Sequence, residues 1–424
     1  MILRLSHPGT RGALVAIGFF FALWLAFFSI RAAWATHERE LGTGDGVERA
    51  AKLEPDNARN WYFLGRFLQY SLEQQDSTRA IDAYRHALAI DPNSTDTLLE
   101  LGTAYELNGD IAAAHAAYAR AKAAYPASAD VSWRYGNFLL RQGELPPAYF
   151  EIRRAVLADP NRAAEAFTRC YRANPDADFI LKEVLPPAGY AGVIREIADE
   201  QTDIAMKVWV RLAALHPHLD PRDVYPLVNA LLQHRRYAEA RRIWNEGMSF
   251  TDIGSSIVDP GAMVWDGGFE SSLNEHDFAW KFDGMRAGVQ TSFDSQVKHS
   301  GKQSLRLGFD GKHNVKLEHI CTLAVVEPKE TYLLSGWIQT DKLTSDQGVG
   351  LRISAGSALA KTRAIQGNTP WTLVETKWTA GNDSHIAEIC VNRDPSERSE
   401  ARIRGTAWID DVSLTRTAPE RVQP

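Results

Sequence analysis

The sequence is poor in several things, and each shortage excludes something. Only three cysteines occur in 424 residues, Cys170, Cys321 and Cys390. That is too few for a disulfide framework, and the spacing is too wide for a C-x-x-C metal or redox motif. A basic excess is missing: 47 Lys and Arg stand against 53 Asp and Glu, leaving a formal charge of −6, the wrong sign for a nucleic-acid partner. There is no G-x-S-x-G elbow, phosphate-binding loop or H-E-x-x-H helix, so no enzyme is expected. Gly42-Thr43-Gly44-Asp45-Gly46 has no strand before it and reads as linker, and His216-Pro217-His218 reads as a surface turn. What is present, 45% hydrophobic and 24% charged residues, is ordinary globular composition. At roughly 150 residues per domain the length suggests two or three folded units.

There is a single long apolar run. Residues 12–30 are uncharged and hold Phe19, Phe20, Phe21, Trp24, Phe27 and Phe28 between Arg11 and Arg31. As a helix the run would be roughly 28 Å long, near the hydrocarbon thickness of a bilayer. Arg4 and Arg11 precede it, whereas Glu38 and Glu40 follow Arg31. The positive-inside bias then predicts a cytoplasmic tail at 1–11, a transmembrane helix at 12–31, a linker at 32–45 and an exported, extracytoplasmic or periplasmic bulk. The competing reading is a cleaved signal sequence, with Ala33-Trp34-Ala35 as the small-x-small site. Both readings export the body.

The chain also repeats with a 34-residue step. Ala80, Tyr84, Ala87 and Pro92 recur as Ala114, Tyr118, Ala121 and Pro126, then as Ala148, Ile152, Ala155 and Pro160. Leu98, Leu101, Gly102 and Tyr105 are answered by Ser132, Tyr135, Gly136 and Leu139, and earlier by Trp61, Leu64, Gly65 and Leu68. This pattern resembles the tetratricopeptide repeat family, whose helix pairs approach closely at small residues and stack into a solenoid. The solenoid is expected over 46–250. The resemblance implies a concave groove for a protein partner, with Arg59, Tyr62, Arg66, Gln69, Asp96, Thr103, Glu106, Trp133, Asn137 and Arg141 facing it, and Trp133 as the aromatic anchor.

After a linker at 251–261 the period changes from helical to alternating. Leu305, Leu307 and Phe309; Tyr332, Leu334 and Ile338; Val349, Leu351 and Ile353; Val374, Thr376 and Trp378; and Ala387, Ile389 and Val391 form runs separated by turn residues. Seven to nine short strands over 262–418 predict a two-sheet sandwich, with a tail at 419–424. The segments Trp265-Asp266-Gly267-Gly268-Phe269-Glu270, Ser300-Gly301-Lys302-Gln303-Ser304-Leu305, Thr369-Pro370-Trp371 and Trp408-Ile409-Asp410-Asp411-Val412 resemble the jelly-roll carbohydrate-binding modules of galactose-binding-like fold. The resemblance implies a glycan ligand, with Trp265, Trp337 and Trp378 as stacking platforms, and a structural calcium on Glu270 and Asp410. No other cofactor is required. Cys321 and Cys390 share this domain and could pair.

The expected fold is therefore multidomain: one transmembrane helix, an all-α tetratricopeptide-type solenoid, then an all-β jelly-roll sandwich. The expected role is a membrane-anchored exported adaptor that joins a protein partner to a glycan, in cell-surface polysaccharide assembly or export. A purely structural protein–protein scaffold and a carbohydrate-active enzyme without a recognisable motif are the alternatives.

Overall fold

The computed structural model describes residues 8–253, 262–271, 278–282, 285–286, 288–398 and 402–417. Most of the predicted linker at 251–261, much of the cytoplasmic tail and the tail at 419–424 lie outside the described residues. The chain divides into two compact units, residues 1–189 and 190–424.

The first unit opens with α1 (Pro8–Glu40), a single uninterrupted helix. It is long and apolar enough to cross a membrane, and its apolar stretch is exposed to the surroundings along its whole length. The predicted linker at 32–45 is not one. Residues up to Glu40 stay helical, and Ala35 and Glu38 are buried against α2 (Gly44–Leu53). Arg49 pairs with Glu38 at 3.2 Å and Arg39 donates to Asn60 at 2.7 Å, so the end of α1 behaves as the first helix of a helical pair. The glycine-rich stretch that read as linker is a tight turn: Gly42 takes φ +67° and Thr43 caps α2 by accepting the Gly46 amide at 3.2 Å.

Three full pairs follow: α3 (Ala58–Tyr70) with α4 (Ser77–Ile90), α5 (Thr95–Leu107) with α6 (Ile111–Ala124), and α7 (Ala129–Arg141) with α8 (Leu145–Ala158). The second helices of the first two pairs start alike, because Asp76 and Asp110 accept the Arg79 and Ala113 amides at 3.0 Å each, whereas α8 carries Pro146 and Pro147 in its first turn and has no side-chain cap. Within each pair a glycine faces a large side chain. A Cβ at Gly65 would sit 2.6 Å from the Tyr84 ring, at Gly102 2.9 Å from Tyr118, and at Gly136 2.8 Å from Ile152. The repeat therefore persists as a steric fit. Beyond α9 (Ala163–Ala173) the pattern loosens: the short turn α10 (Ala177–Phe179) runs into a π-helical turn, Ile180–Val184, before Pro186 and Pro187.

The second unit joins α11 (Tyr190–Ile197), α12 (Thr202–Ala213), α13 (Tyr225–Gln233) and α14 (Tyr237–Ser249) to the sandwich. Its strands are β1 (Met285–Arg286), β2 (Val289–Asp294), β3 (Ser304–Asp310), β4 (Leu317–Val325), β5 (Thr331–Leu343), β6 (Gly350–Ala355), β7 (Ala358–Lys361), β8 (Gly367–Thr379), β9 (Ile386–Arg393) and β10 (Arg404–Arg416). They form a six-stranded sheet, β1-β2-β3-β10-β5-β8, and a four-stranded sheet, β4-β9-β6-β7, with every described pairing antiparallel. Alternate residues such as Leu305, Leu307, Ile338, Ile353, Ile389 and Ile409 fill the core between the sheets. Helix α14 closes one side. The Trp244 ring meets Trp265 edge-on at 5.2 Å and Phe278 at 5.8 Å, while the Arg241 guanidinium lies over Phe278 and donates to the Ala262 carbonyl. Burial lowers Arg241 to about 10.

Two substitutions test these contacts by chemical denaturation. Gly102→Val should destabilise the first unit by about 1–3 kcal/mol, because Tyr118 must move. Trp244→Ala should destabilise the second by about 3–5 kcal/mol, because a fully buried indole leaves a cavity beside Trp265. An unchanged transition in either variant would contradict the packing described.

Candidate functional site

The side chains best placed to meet a ligand lie on the outer face of the six-stranded sheet. Along β5 the even-numbered residues Tyr332, Leu334 and Ile338 point into the core, so Trp337 points out and is only half buried. His299 stacks on it with ring centroids 4.0 Å apart and 15° between planes, and Trp371 meets His299 edge-on at 5.7 Å. Trp371 was not predicted as a platform, although its place in Thr369-Pro370-Trp371 was the available signal.

The two other predicted platforms are corrected by burial. Trp378 is 3% exposed and belongs to the core between the sheets, on the same side of β8 as Val374. Trp265 is 1% exposed, beneath Trp244. Neither can stack on a ligand.

Beside the aromatic patch is a group of carboxylates. Asp266 accepts the Glu270 and Ser271 amides at 2.7 and 2.8 Å; Asp410 accepts those of His299 and Ser300 at 2.8 and 3.1 Å. Glu270 accepts the Lys302 amide through Oε1 at 2.8 Å, while its Oε2 is buried with no hydrogen-bond partner. Asp411 takes the His299 ring at 2.6 Å and the Ser300 hydroxyl at 2.7 Å. Three non-glycine residues around this point, Asp266, Phe269 and Asp411, hold left-handed backbone at φ 54°, 58° and 49°. Burial raises Asp266 to about 7 and Asp410 to about 6, although backbone amides oppose the shift. Glu270 Oε2 is the hard oxygen left open here, since both oxygens of Asp266 and of Asp410 accept backbone amides. Of the two predicted ligands, Glu270 keeps that open oxygen and Asp410 does not, and among the described residues these carboxylates form no group with metal-ligand spacing.

A second cluster, Cys321, Glu388 and Cys390, has metal-like spacing. Its sulfurs are instead joined to each other. Cys321 and Cys390 sit directly opposite on β4 and β9 and form a disulfide on the outer side of the four-stranded sheet.

In the solenoid the predicted groove residues divide. Arg59, Tyr62, Arg66 and Asp96 line an open pocket of about 420 Å³ with Phe63 and Thr97. Others are engaged from repeat to repeat. Arg141 forks onto Glu106 with both bonds at 2.8 Å, and Arg134 links Glu100 to Thr103 at 3.1 Å each. Gln69 is buried, accepting from Tyr84 at 2.7 Å. Trp133 is not an open anchor: it is 8% exposed, with the Arg162 and Arg169 guanidinium groups each 5.4 Å from its ring. Asn137 is buried next to it, donating to the Trp133 carbonyl and accepting from Arg169.

Residues 71–129 match the family model described as tetratricopeptide repeat. The chain is 25% identical over 186 residues to tetratricopeptide repeat protein 37 of Xenopus laevis, an alignment covering 38% of this chain and 11% of that protein. It thus spans about a tenth of that relative. Among solved structures, the crystal structure of MamA protein aligns with TM-score 0.31 and 19% identity, covering 46% of this chain and 97% of the other. The structure of TmCBM61 in complex with β-1,4-galactotriose aligns with TM-score 0.26 and 16% identity, covering 37% and 99%. The chain therefore carries tetratricopeptide repeats in a helical solenoid, followed by a β-sandwich.

The raised carboxyls give a pH dependence with a definite sign. Asp266 and Asp410 hold protons that the unfolded chain releases near about pH 3.9. Between about pH 4 and 7 the folded chain therefore binds more protons, and stability falls as pH rises through that window. Asp310, held low by the Lys312 amide, and Glu318, held low by Lys316, act oppositely and at lower pH. Urea unfolding in the presence of EDTA should show the sandwich less stable at pH 7 than at pH 5. A rise over that interval would contradict the assignment.

Proposed function

We propose that this chain is a membrane-anchored, exported adaptor that binds a protein partner through its solenoid and a glycan through its sandwich, without catalysis. The observation that carries the glycan half is the stacked Trp337–His299 pair with Trp371 on an open sheet face. Apolar ring faces of this kind take up the C–H faces of sugars while neighbouring polar groups bind hydroxyls. The pocket of Arg59, Tyr62, Arg66 and Asp96 supports the protein half. A retained anchor is supported by the end of α1: cleavage after Ala35 would cut within one unbroken helix and remove Ala35, which is fully buried. Export is supported by the Cys321–Cys390 disulfide, a bond that persists in oxidising compartments. A structural calcium on Glu270 and Asp410 would neutralise the buried carboxylates and brace the loops behind the aromatic patch. Assembly or export of a cell-surface polysaccharide is a process that needs such a part.

One observation favours the purely structural scaffold as a second reading. Part of the charged surface expected to face the groove is spent on an ion pair between repeats, Glu106–Arg141, and Glu100–Arg134 makes a second such pair outside the expected groove residues.

The test uses the full chain in lipid nanodiscs, passed over immobilised polysaccharides. Retention on at least one polymer is expected, weakened about tenfold or more by Trp337→Ala and unaffected by Leu359→Ala on the other sheet. No retention on any polymer would leave the scaffold reading. Calcium at pH 7.5 should raise the melting temperature of the wild type but not of Glu270→Gln, and the lack of a shift in the wild type would remove the metal.

A further inference from the structure

The outer face that carries Trp337 continues into a groove of about 510 Å³ at the other end of the same sheet. Its floor is set by strand register. Gln290, Gly308, Thr406 and Asp341 stand side by side across β2, β3, β10 and β5, and the neighbouring row holds Ser292, Arg306, Trp408 and Gln339. At Gly308 the missing side chain leaves the floor bare, and the nearest foreign atom to a built Cβ is the Arg306 guanidinium at 3.5 Å. Gly405, with φ +120°, holds the far wall, where a Cβ would strike the Lys342 carbonyl.

The walls are cationic. Arg286, Arg306, Lys342 and Arg404 line the groove, and among the described residues none of the four is within ion-pair distance of a carboxylate. Two acids also line it, and Asp310 is occupied by the His313 ring at 2.7 Å and by the Lys312 amide at 2.8 Å. That leaves Asp341 facing four cations, on a chain whose formal charge is −6. Such a local reversal of sign selects anions.

We infer that this sheet face binds an acidic polysaccharide, its sugar rings stacking at Trp337 and its carboxylates received by Arg306, Arg404, Lys342 and Arg286. The inference rests on the glycan reading above and adds the chemical class of the polymer. From Trp337 to Asp341 along β5 is roughly 13 Å at the rise of an extended strand, room for more than one sugar residue. Between the two ends lies Trp408, which is buried to 9% exposure with its indole N–H on Asp294 at 2.9 Å. Two features argue against a nucleic acid, which would also use cations and aromatic rings: the acidic chain as a whole and a disulfide suited to an oxidising compartment.

The experiment compares full chain in nanodiscs against three polyuronates, glucuronan, polygalacturonate and alginate, against the same polymers after carboxyl reduction, and against a single-stranded oligonucleotide. The expected result is retention on at least one polyuronate, weakened by salt and about tenfold weaker after Arg306→Gln or Arg404→Gln. Gly308→Val, which fills the floor while favouring the strand, should abolish it with all charges in place. Melting temperatures separate lost binding from lost folding. Equal retention of native and reduced polymers would overturn the acidic class while leaving the glycan reading standing. Retention of no polymer at all would overturn both, and equal binding of the oligonucleotide would replace the polysaccharide with a nucleic acid.

Discussion

Helix α1 joins an exposed apolar stretch to a packed end within one unbroken run of backbone hydrogen bonds. Up to about Ile30 its apolar side chains face outward, whereas Ala35 and Glu38 are buried against α2. Because a helix fixes both rise and rotation per residue, the position of the apolar stretch also fixes the orientation in which α2 and α3 emerge from it. Asn60 of α3 takes the Arg39 guanidinium and Glu38 takes Arg49, so polar contacts lock that orientation where the exposed apolar surface ends. In the proposed anchoring the repeats are a rigid continuation of the anchor, and the pocket at Arg59 and Arg66 stands close to where the chain leaves the bilayer.

The sandwich is governed by a simpler constraint, the two-residue period of its strands. Each strand gives alternate side chains to the core and the rest to an outer face. The four-stranded sheet spends part of its outer face on the Cys321–Cys390 disulfide and the Arg352–Glu388 pair, and the six-stranded sheet keeps its outer face open. On that open face aromatic rings, carboxylates and guanidinium groups are arranged in rows, since register places residues from β2, β3, β10 and β5 side by side. The surface proposed to bind a polymer is laid out by that pairing.

How much of this was legible depended on whether the deciding contact was local. The glycine and aromatic positions of the repeats are periodic, so Gly102 against Tyr118 could be read from spacing. The strands were likewise readable, and so in principle was the fate of Trp378: it alternates with Val374 and Thr376, which puts it on the core side. Choosing it as a platform weighed the residue type above its parity. Trp265 had no period to read, and its burial comes from Trp244 on α14. Trp133 occupies a groove position in the repeat, but Arg162 and Arg169, contributed later in the chain, cover its ring. Glu270 and Asp410 were singled out through resemblance, whereas the hydrogen bonds of Asp266 to the turn around Phe269 had no signal in the spacing. The cationic groove left no local trace, because Arg306, Lys342 and Arg404 belong to three strands that meet through register.

The account stands on the compartment in which the sandwich folds. Fusing alkaline phosphatase, which gains activity only outside the bacterial cytoplasm, to the carboxyl end of the full chain measures that directly. Strong phosphatase activity in intact cells, with a matching green fluorescent protein fusion dark when exported unfolded, is the predicted result. An inactive phosphatase beside a bright fluorescent fusion would place the sandwich in the cytoplasm and contradict the exported adaptor.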